Sequence, residues 1–322
     1  MNPSNLFTSS SELHDSLRLI RRGMLFGLPF IFALVFIVLV DPFNYLKLFS
    51  VFSSDIKMAV SPELNFCFWK MNEFERDPHD SILLGDSRMM GVKSDFVHDV
   101  TGETFSNMAY GGGTLREAID TFWFAVEKTK LRKVFMGINL NNYNDYDISN
   151  RTRMYSSINE NPALYFVNRT VWESAFYVAY KQLTKSSRRL GVPTMDRESF
   201  WQYELDIMRL SYSRYSPPKK YRQEIQKISE YCRQNNIELT FVIFPTHVEE
   251  QELIVEAHLE SQNRAMREDL RTLGKVLDFQ YDNEITREKA NYDDPIHLGV
   301  RPLRILVKEV WGNELKFGQK LN

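Results

Sequence analysis

Two short stretches, far apart in the chain, hold a serine, a histidine and a carboxylate, the side-chain types that nucleophilic catalysis uses together. Gly85-Asp86-Ser87 follows the apolar run Ile82-Leu83-Leu84, and Asp294-Pro295-Ile296-His297 lies near the C-terminus. A serine hydroxyl is a weak nucleophile until a base takes its proton, and the base works best when a carboxylate fixes its tautomer. An Asp three residues before a His can reach the imidazole from the same loop or helical turn. Asp293 is the alternative carboxylate, and the spacing favours Asp294. A plainer reading competes for Ser87, since Ser and Asp are favoured helix N-caps.

These side chains need elements that present them together. Ser81–Leu84 reads as a short buried strand ending at the Gly-Asp-Ser turn, and Thr104–Ala109 as a second, leading into Gly111-Gly112-Gly113. Leu115–Lys128 has helical apolar spacing, Lys133–Leu140 reads as a strand, and Lys219–Gln234 as a helix begun by Pro217-Pro218. Leu239–Phe244 is the clearest strand. Gln251–Leu273 reads as one long helix closed by Gly274, Val276–Phe279 as a last strand and Pro302–Trp311 as a terminal helix. Alternating strands and helices predict a mostly parallel sheet covered on both faces. Ligands of such sheets bind outside the carboxyl ends of the strands, where Ser87, the glycine run, Asn139, Asn141 and His247 all fall.

From Gly23 to Val40 the chain reads GMLFGLPFIFALVFIVLV without a charge, about the length a helix needs to cross a bilayer. Arg18, Arg21 and Arg22 precede the run; Asp41, Pro42 and later Lys47 follow it. The positive-inside rule puts the N-terminus in the cytoplasm and the rest outside. A cleaved signal peptide is the rival reading, but the run is long for one and no small-x-small site follows. The expected division is a cytoplasmic tail over 1–22, a membrane helix over 23–41, a juxtamembrane segment over 42–80 and a catalytic domain over 81–322. With a net charge of −2 and 25% charged residues there is no electrostatic footprint for nucleic acid. Cys67 and Cys232 do not make a disulfide framework, although they could pair. No metal-ligand spacing is present, and no cofactor is expected.

At this point the residues carry a resemblance. The chain resembles the SGNH/GDSL esterase and acyltransferase superfamily over roughly residues 81–311. Gly85-Asp86-Ser87 matches the first block of that family. Asn107-Met108-Ala109-Tyr110-Gly111-Gly112 matches the second, and Asp294 to His297 the last. The third, Gly-x-Asn-Asp, is irregular here: Gly137-Ile138-Asn139-Leu140-Asn141-Asn142. The resemblance implies a flavodoxin-like three-layer α/β/α sandwich with a mostly parallel five-stranded sheet, here preceded by one N-terminal transmembrane helix. It implies Ser87 as nucleophile, His297 as base and Asp294 as its orienting group. The oxyanion would be held by the N–H groups of Ser87 and Gly112 and by the Asn141 amide, with Asn139 as the alternative.

Departures from the family point to its branch. Arg88 stands where Leu is usual, as in membrane-anchored members that modify surface polymers. Arg88, Asn139 and His247 are candidate substrate contacts, although a structural role competes for His247. The segment 142–217 is long for a plain member, an insertion or lid in which Tyr143 and Tyr146 could stack on a sugar. The expected function is O-acetylation of a cell-envelope polysaccharide through a Ser acyl-enzyme, with a multi-pass membrane acyltransferase supplying the acyl group. An anchored carbohydrate esterase is the alternative, and a non-catalytic scaffold the second.

Overall fold

The computed structural model describes residues 10–49, 51–146, 149–185, 195–312 and 314–321. They form two compact units. Of the described residues, one holds those up to 64 and 160–185, the other those of 65–159 and from 195 on. Residues 160–185, from the segment 142–217, group with the apolar helix in this partition.

In the first unit, one helix runs from Ser10 to Val40 and carries Pro29 inside it. Its portion Asp15–Val40 is long and apolar enough to cross a membrane. Phe26 and Phe32 are largely exposed along it, whereas Ile37 and Val40 are buried. The helix stops at Asp41, whose backbone is left-handed (φ 40°). A non-glycine residue tolerates that conformation when its side chain bonds locally. Asp41 does so: its carboxylate accepts the N–H groups of Tyr45 (2.9 Å), Leu46 (3.1 Å) and Lys47 (2.8 Å), and the Tyr165 hydroxyl (2.8 Å). The helix Arg169–Thr184 buries Val171, Ser174, Ala175 and Val178.

The second unit is built on a six-stranded sheet in the order β2-β1-β3-β4-β5-β8. The strands are β1 (Ser81–Leu84), β2 (Ser106–Asn107), β3 (Lys133–Gly137), β4 (Glu238–Ile243), β5 (Lys275–Asp278) and β8 (Gln319–Lys320). β1 to β5 are parallel, in the 2-1-3-4-5 order of flavodoxin-like folds. β8 pairs antiparallel with β5, one strand more than expected. A strand buried on both faces reads as a continuous apolar run, and β1 is buried throughout. Leu83, Phe135, Val242 and Leu277 face one layer, packing with Phe96 and Val97 of helix Ser94–Thr101 and Leu303, Leu306 and Val307 of helix Val300–Trp311. Helices Leu115–Lys128, Lys219–Gln234 and Glu260–Leu273 form the third layer. The first of these starts on a full capping box, with Thr114 and Glu117 each bonding the other's backbone N–H. A separate hairpin, β6 (Tyr292–Asp294) and β7 (His297–Leu298), carries the C-terminal motif.

The long helix expected over Gln251–Leu273 is two helices, Val248–Glu256 and Glu260–Leu273. The break is at His258, left-handed at φ 56°, with the Leu259 N–H turned back to the Ile254 carbonyl. Cys67 and Cys232 are free and buried, and burial raises both thiol pKa values.

Candidate active site

The nucleophile candidate is placed by the exit of β1. Gly85 sits at φ 143°, and a Cβ there would stand 3.1 Å from the Gly137 carbonyl, so the turn needs glycine twice over. Asp86 caps the short helix Ser87–Met90, its carboxylate accepting the Arg88 N–H (3.0 Å). Asp86, not Ser87, is therefore the N-cap, and the serine hydroxyl is left for another partner.

That partner comes from 210 residues away. His297 Nε2 lies 2.6 Å from Ser87 Oγ, and His297 Nδ1 lies 2.7 Å from Asp294 Oδ2. A carboxylate only accepts, so Nδ1 carries the proton and Nε2 is free to accept the serine hydroxyl. The other Asp294 oxygen accepts the N–H groups of Ile296 and His297, both at 3.0 Å. One carboxylate thus closes the hairpin turn and fixes the ring. Asp293 is exposed on the strand's other face, as alternation dictates. The surrounding protein's desolvation works to lower the His297 pKa, but the hydrogen bond and charge of Asp294, with Asp86 adding to them, raise it above its ordinary 6.5. Arg88 opposes that rise.

Behind the serine lies a charged knot. Arg88 is buried (4% exposed) and grips Asp86 through Nε (3.1 Å) and Nη2. Its Nη2 also donates to Asn141 Oδ1 (2.8 Å), and Asn142 Nδ2 donates to Asp86 (3.2 Å). Because the guanidinium fixes the Asn141 oxygen, it also sets the direction of that amide's NH₂. Arg88 is thus placed inside the protein as a brace for Asp86 and Asn141 rather than at the surface of a binding groove.

The other candidates separate. Asn139 is 1% exposed; its amide donates to the Phe244 carbonyl (2.8 Å) and accepts the Phe244 N–H (3.1 Å), which ties the exit of β3 to the exit of β4. Asn139 is thereby committed to the backbone, and Asn141 is the asparagine at the Asp86–Arg88 knot. His247 is also buried. Its Nδ1 accepts the Glu249 N–H (3.3 Å), and its ring meets Trp201 and Tyr292 edge-on. Its backbone N–H donates to the Pro295 carbonyl (2.8 Å), so it supports the hairpin that carries Asp294 and His297. Burial lowers its pKa. Gly112 is left-handed at φ 56° in a loop that abuts the Gly85 turn: the Tyr110 N–H donates to the Gly85 carbonyl (3.0 Å). Among the described residues, no acceptor takes the N–H of Ser87 or of Gly112.

Three contributors escaped the sequence reading. Arg151 donates to the carbonyls of Gly111 (3.0 Å) and Gly112 (3.2 Å) while paired with the buried Glu117, and so holds the glycine loop from outside. Asn142 braces Asp86, as above. Glu204, on helix Arg197–Ser213, has a raised pKa, first from burial and then from the charge of Asp294, with His297 opposing. The legible signal for Glu204 was its place beside the buried stripe Trp201, Leu205, Met208 and Tyr212. Tyr143, considered for stacking, is a core residue whose hydroxyl bonds Asp269 (3.1 Å); Tyr146 is exposed, with Arg214 over its ring.

No family model and no curated protein matches the chain. Among solved structures it is similar to a candidate platelet activating factor protein from Streptococcus pneumonia, at 11% identity and a TM-score of 0.43, covering 76% of this chain and 90% of that one. It is also similar to a candidate acylhydrolase from Bacteroides fragilis (10% identity, TM-score 0.41, 77% and 94% covered). A third is a candidate lipolytic protein of the G-D-S-L family from Desulfitobacterium hafniense (12%, 0.37, 71% and 97%).

Proposed function

We propose that the second unit is a serine acyl-transfer centre of the SGNH/GDSL kind. The observation that carries this is the unbroken line Ser87 Oγ–His297 Nε2–Asp294, with contacts of 2.6 and 2.7 Å. Ser87 Oγ attacks the acyl carbonyl while its proton passes to His297 Nε2. The leaving alcohol departs with that proton, and the acyl group stays on Ser87 as an ester. His297 then takes a proton from the acceptor hydroxyl, whose oxygen attacks the ester carbon. The Oγ–acyl bond breaks and His297 returns the proton to Ser87. Asp294 stays ionised throughout and stabilises the transient imidazolium. The N–H groups of Ser87 and Gly112 and the Arg88-oriented Asn141 amide receive the oxyanion; one such donor is worth about 2.7–4 kcal/mol.

The finer reading is a membrane-anchored enzyme that O-acetylates an envelope polysaccharide. Helix Ser10–Val40 crosses the bilayer with its arginines in the cytoplasm, and a multi-pass membrane protein supplies the acyl group. The apolar helix supports the anchor. Glu204 supports the acceptor side, because a half-buried carboxyl near His297 suits a sugar hydroxyl as hydrogen-bond acceptor. The same triad serves an anchored esterase in which water is the acceptor.

The test uses the full chain in detergent or nanodiscs, an activated acetyl ester and envelope-type oligosaccharides. Acetylated sugar should rise with acceptor concentration at the expense of acetate, and Ser87→Ala should abolish both products. Acetate release indifferent to every acceptor would establish the esterase instead.

A further inference from the structure

Among the described residues, the first unit leaves several large apolar side chains mostly exposed. Helix Arg169–Thr184 buries one stripe, but Phe176, Tyr180 and Leu183 are 60%, 59% and 84% exposed. Their spacing of four and three residues puts them on one edge of that helix. Leu48 and Phe49 of the same unit are also exposed. For a water-facing surface this is unusual.

The depth of that helix can be read from its contacts. Phe36 meets Trp172 (ring centroids 6.1 Å apart) and Phe176 (5.3 Å). Phe36 lies one helical turn before Val40, about 6 Å inside the end of the apolar run at 1.5 Å per residue. Amphipathic helices that lie in the plane of a membrane seat their apolar face about 5–10 Å into the boundary between headgroups and acyl chains. Tyr and Trp concentrate at that level, and cations near it meet lipid phosphates. Lys181 and Lys185 are neighbours in sequence of this edge, and Arg169, paired with Glu173, begins the helix.

We infer that helix Arg169–Thr184 lies in the interfacial layer of the bilayer that helix Ser10–Val40 crosses, with its Phe176–Tyr180–Leu183 edge among the lipids. The inference rests on the membrane-crossing reading above. The unit is then a two-point mount. One helix spans and a second, supplied by a segment more than a hundred residues later, lies flat against it and fixes its rotation.

Spin labels on single introduced cysteines test it in the full chain in phosphatidylethanolamine–phosphatidylglycerol nanodiscs, since Cys67 and Cys232 are buried. Phe176→Cys, Tyr180→Cys and Leu183→Cys probe the edge; Phe30→Cys reports the spanning helix and Glu268→Cys the aqueous reference. Leu183 is exposed enough for a label to leave the packing intact. The ratio of oxygen to aqueous nickel-chelate collisions at the edge should be several-fold above that at position 268 and below that at position 30. An edge ratio equal to that at 268, with 30 still in lipid, overturns the inference and leaves the anchor standing. An aqueous position 30 removes the anchor itself. Low collision with both reagents at the edge means that protein covers it, which overturns the lipid assignment in favour of a membrane-protein partner.

Discussion

Asp41 and Asp86 are both buried carboxylates at the point where an apolar element ends and the chain must turn. Asp41 closes the helix Ser10–Val40, and Asp86 follows the strand β1. Asp41 is satisfied by three backbone N–H groups and a phenol, all neutral. Asp86 is satisfied chiefly by a buried guanidinium, with Asn142 beside it. Neutral donors are enough to fix a shape. An ion pair fixes a shape and also leaves a local field, here one that acts on His297 from both of its charges. The same residue type at equivalent places in two elements is therefore held by neutral donors in one case, where its charge acts on Lys57, and by an ion pair in the other, where both charges act on His297.

The largest effect should fall beside Asp86 and leave stability alone. Ser87→Ala and His297→Ala should each cost about 10⁶ in kcat, and Asp294→Ala about 10⁴, by analogy with other triads. Substitution at Asp41 should leave kcat per folded molecule unchanged. Turnover of an activated ester, with circular dichroism as the check on folding, reads both. A Ser87→Ala variant as active as the parent would end the triad reading and with it the contrast.

Next comes the cost of orphaning a charge. Arg88→Ala leaves Asp86 buried without its cation and should destabilise the chain by about 3–5 kcal/mol. Asp41→Asn keeps an acceptor but loses the charge, and should cost about 2–3 kcal/mol, the scale of a hydrogen bond to a charged group. Denaturation in detergent compares the two. Equal costs would mean that the ion pair at Asp86 adds nothing beyond its geometry.

The two asparagines give a smaller and more selective effect. Asn141→Ala should lower kcat by about 10²–10³ with little loss of stability, as removal of an oxyanion donor does. Asn139→Ala should lower stability by about 1–3 kcal/mol, because the Phe244 backbone groups are left unpaired. Steady-state kinetics paired with thermal melts would show the exchange of roles if it exists.

The subtlest effect is on pH. His297 must be neutral to take the serine proton, so kcat/KM should rise with pH through an apparent pKa above 6.5. Asp86→Asn removes a charge that raises that pKa, and the acid limb should move to lower pH; Asp41→Asn should not move it. Because the folded pKa is the higher one, protonation of His297 favours folding. That contribution is complete below pH 6.5 and is lost as the pH climbs through the raised value. Asp294→Asn should flatten this part of the stability profile.

Much of the site was legible because its signals are local. An apolar run of three residues, a glycine and an Asp three residues before a His are each read within a few residues, whereas the Thr-x-x-Glu capping box at Thr114 was not singled out. The sequence could not separate Asn139 from Asn141, because what sets Asn139 apart is its bonding to the backbone of Phe244, 105 residues away. His247 stood at a strand end like any ligand-binding residue, and only the packing of Trp201 and Tyr292 shows that it is a prop. The break at His258 carries no Gly or Pro to announce it. β8 is two exposed residues whose pairing comes from β5 and not from their own pattern. Arg151 and Glu204 lie in the segment whose role depends on where tertiary structure sends it.

That segment has one further consequence. Of it, the described residues 160–185 belong with the first unit, and those on either side, up to 159 and from 195 on, belong with the second. The apolar helix is thus woven into the protein instead of being hung on one end. A protease that cut once near residue 64 would not shed the second unit, because Tyr165 on Asp41 and Trp172 on Phe36 would still hold it. Deleting residues 1–64 would likewise strip the cover from Tyr165, Val171 and Val178, and the remaining chain should aggregate.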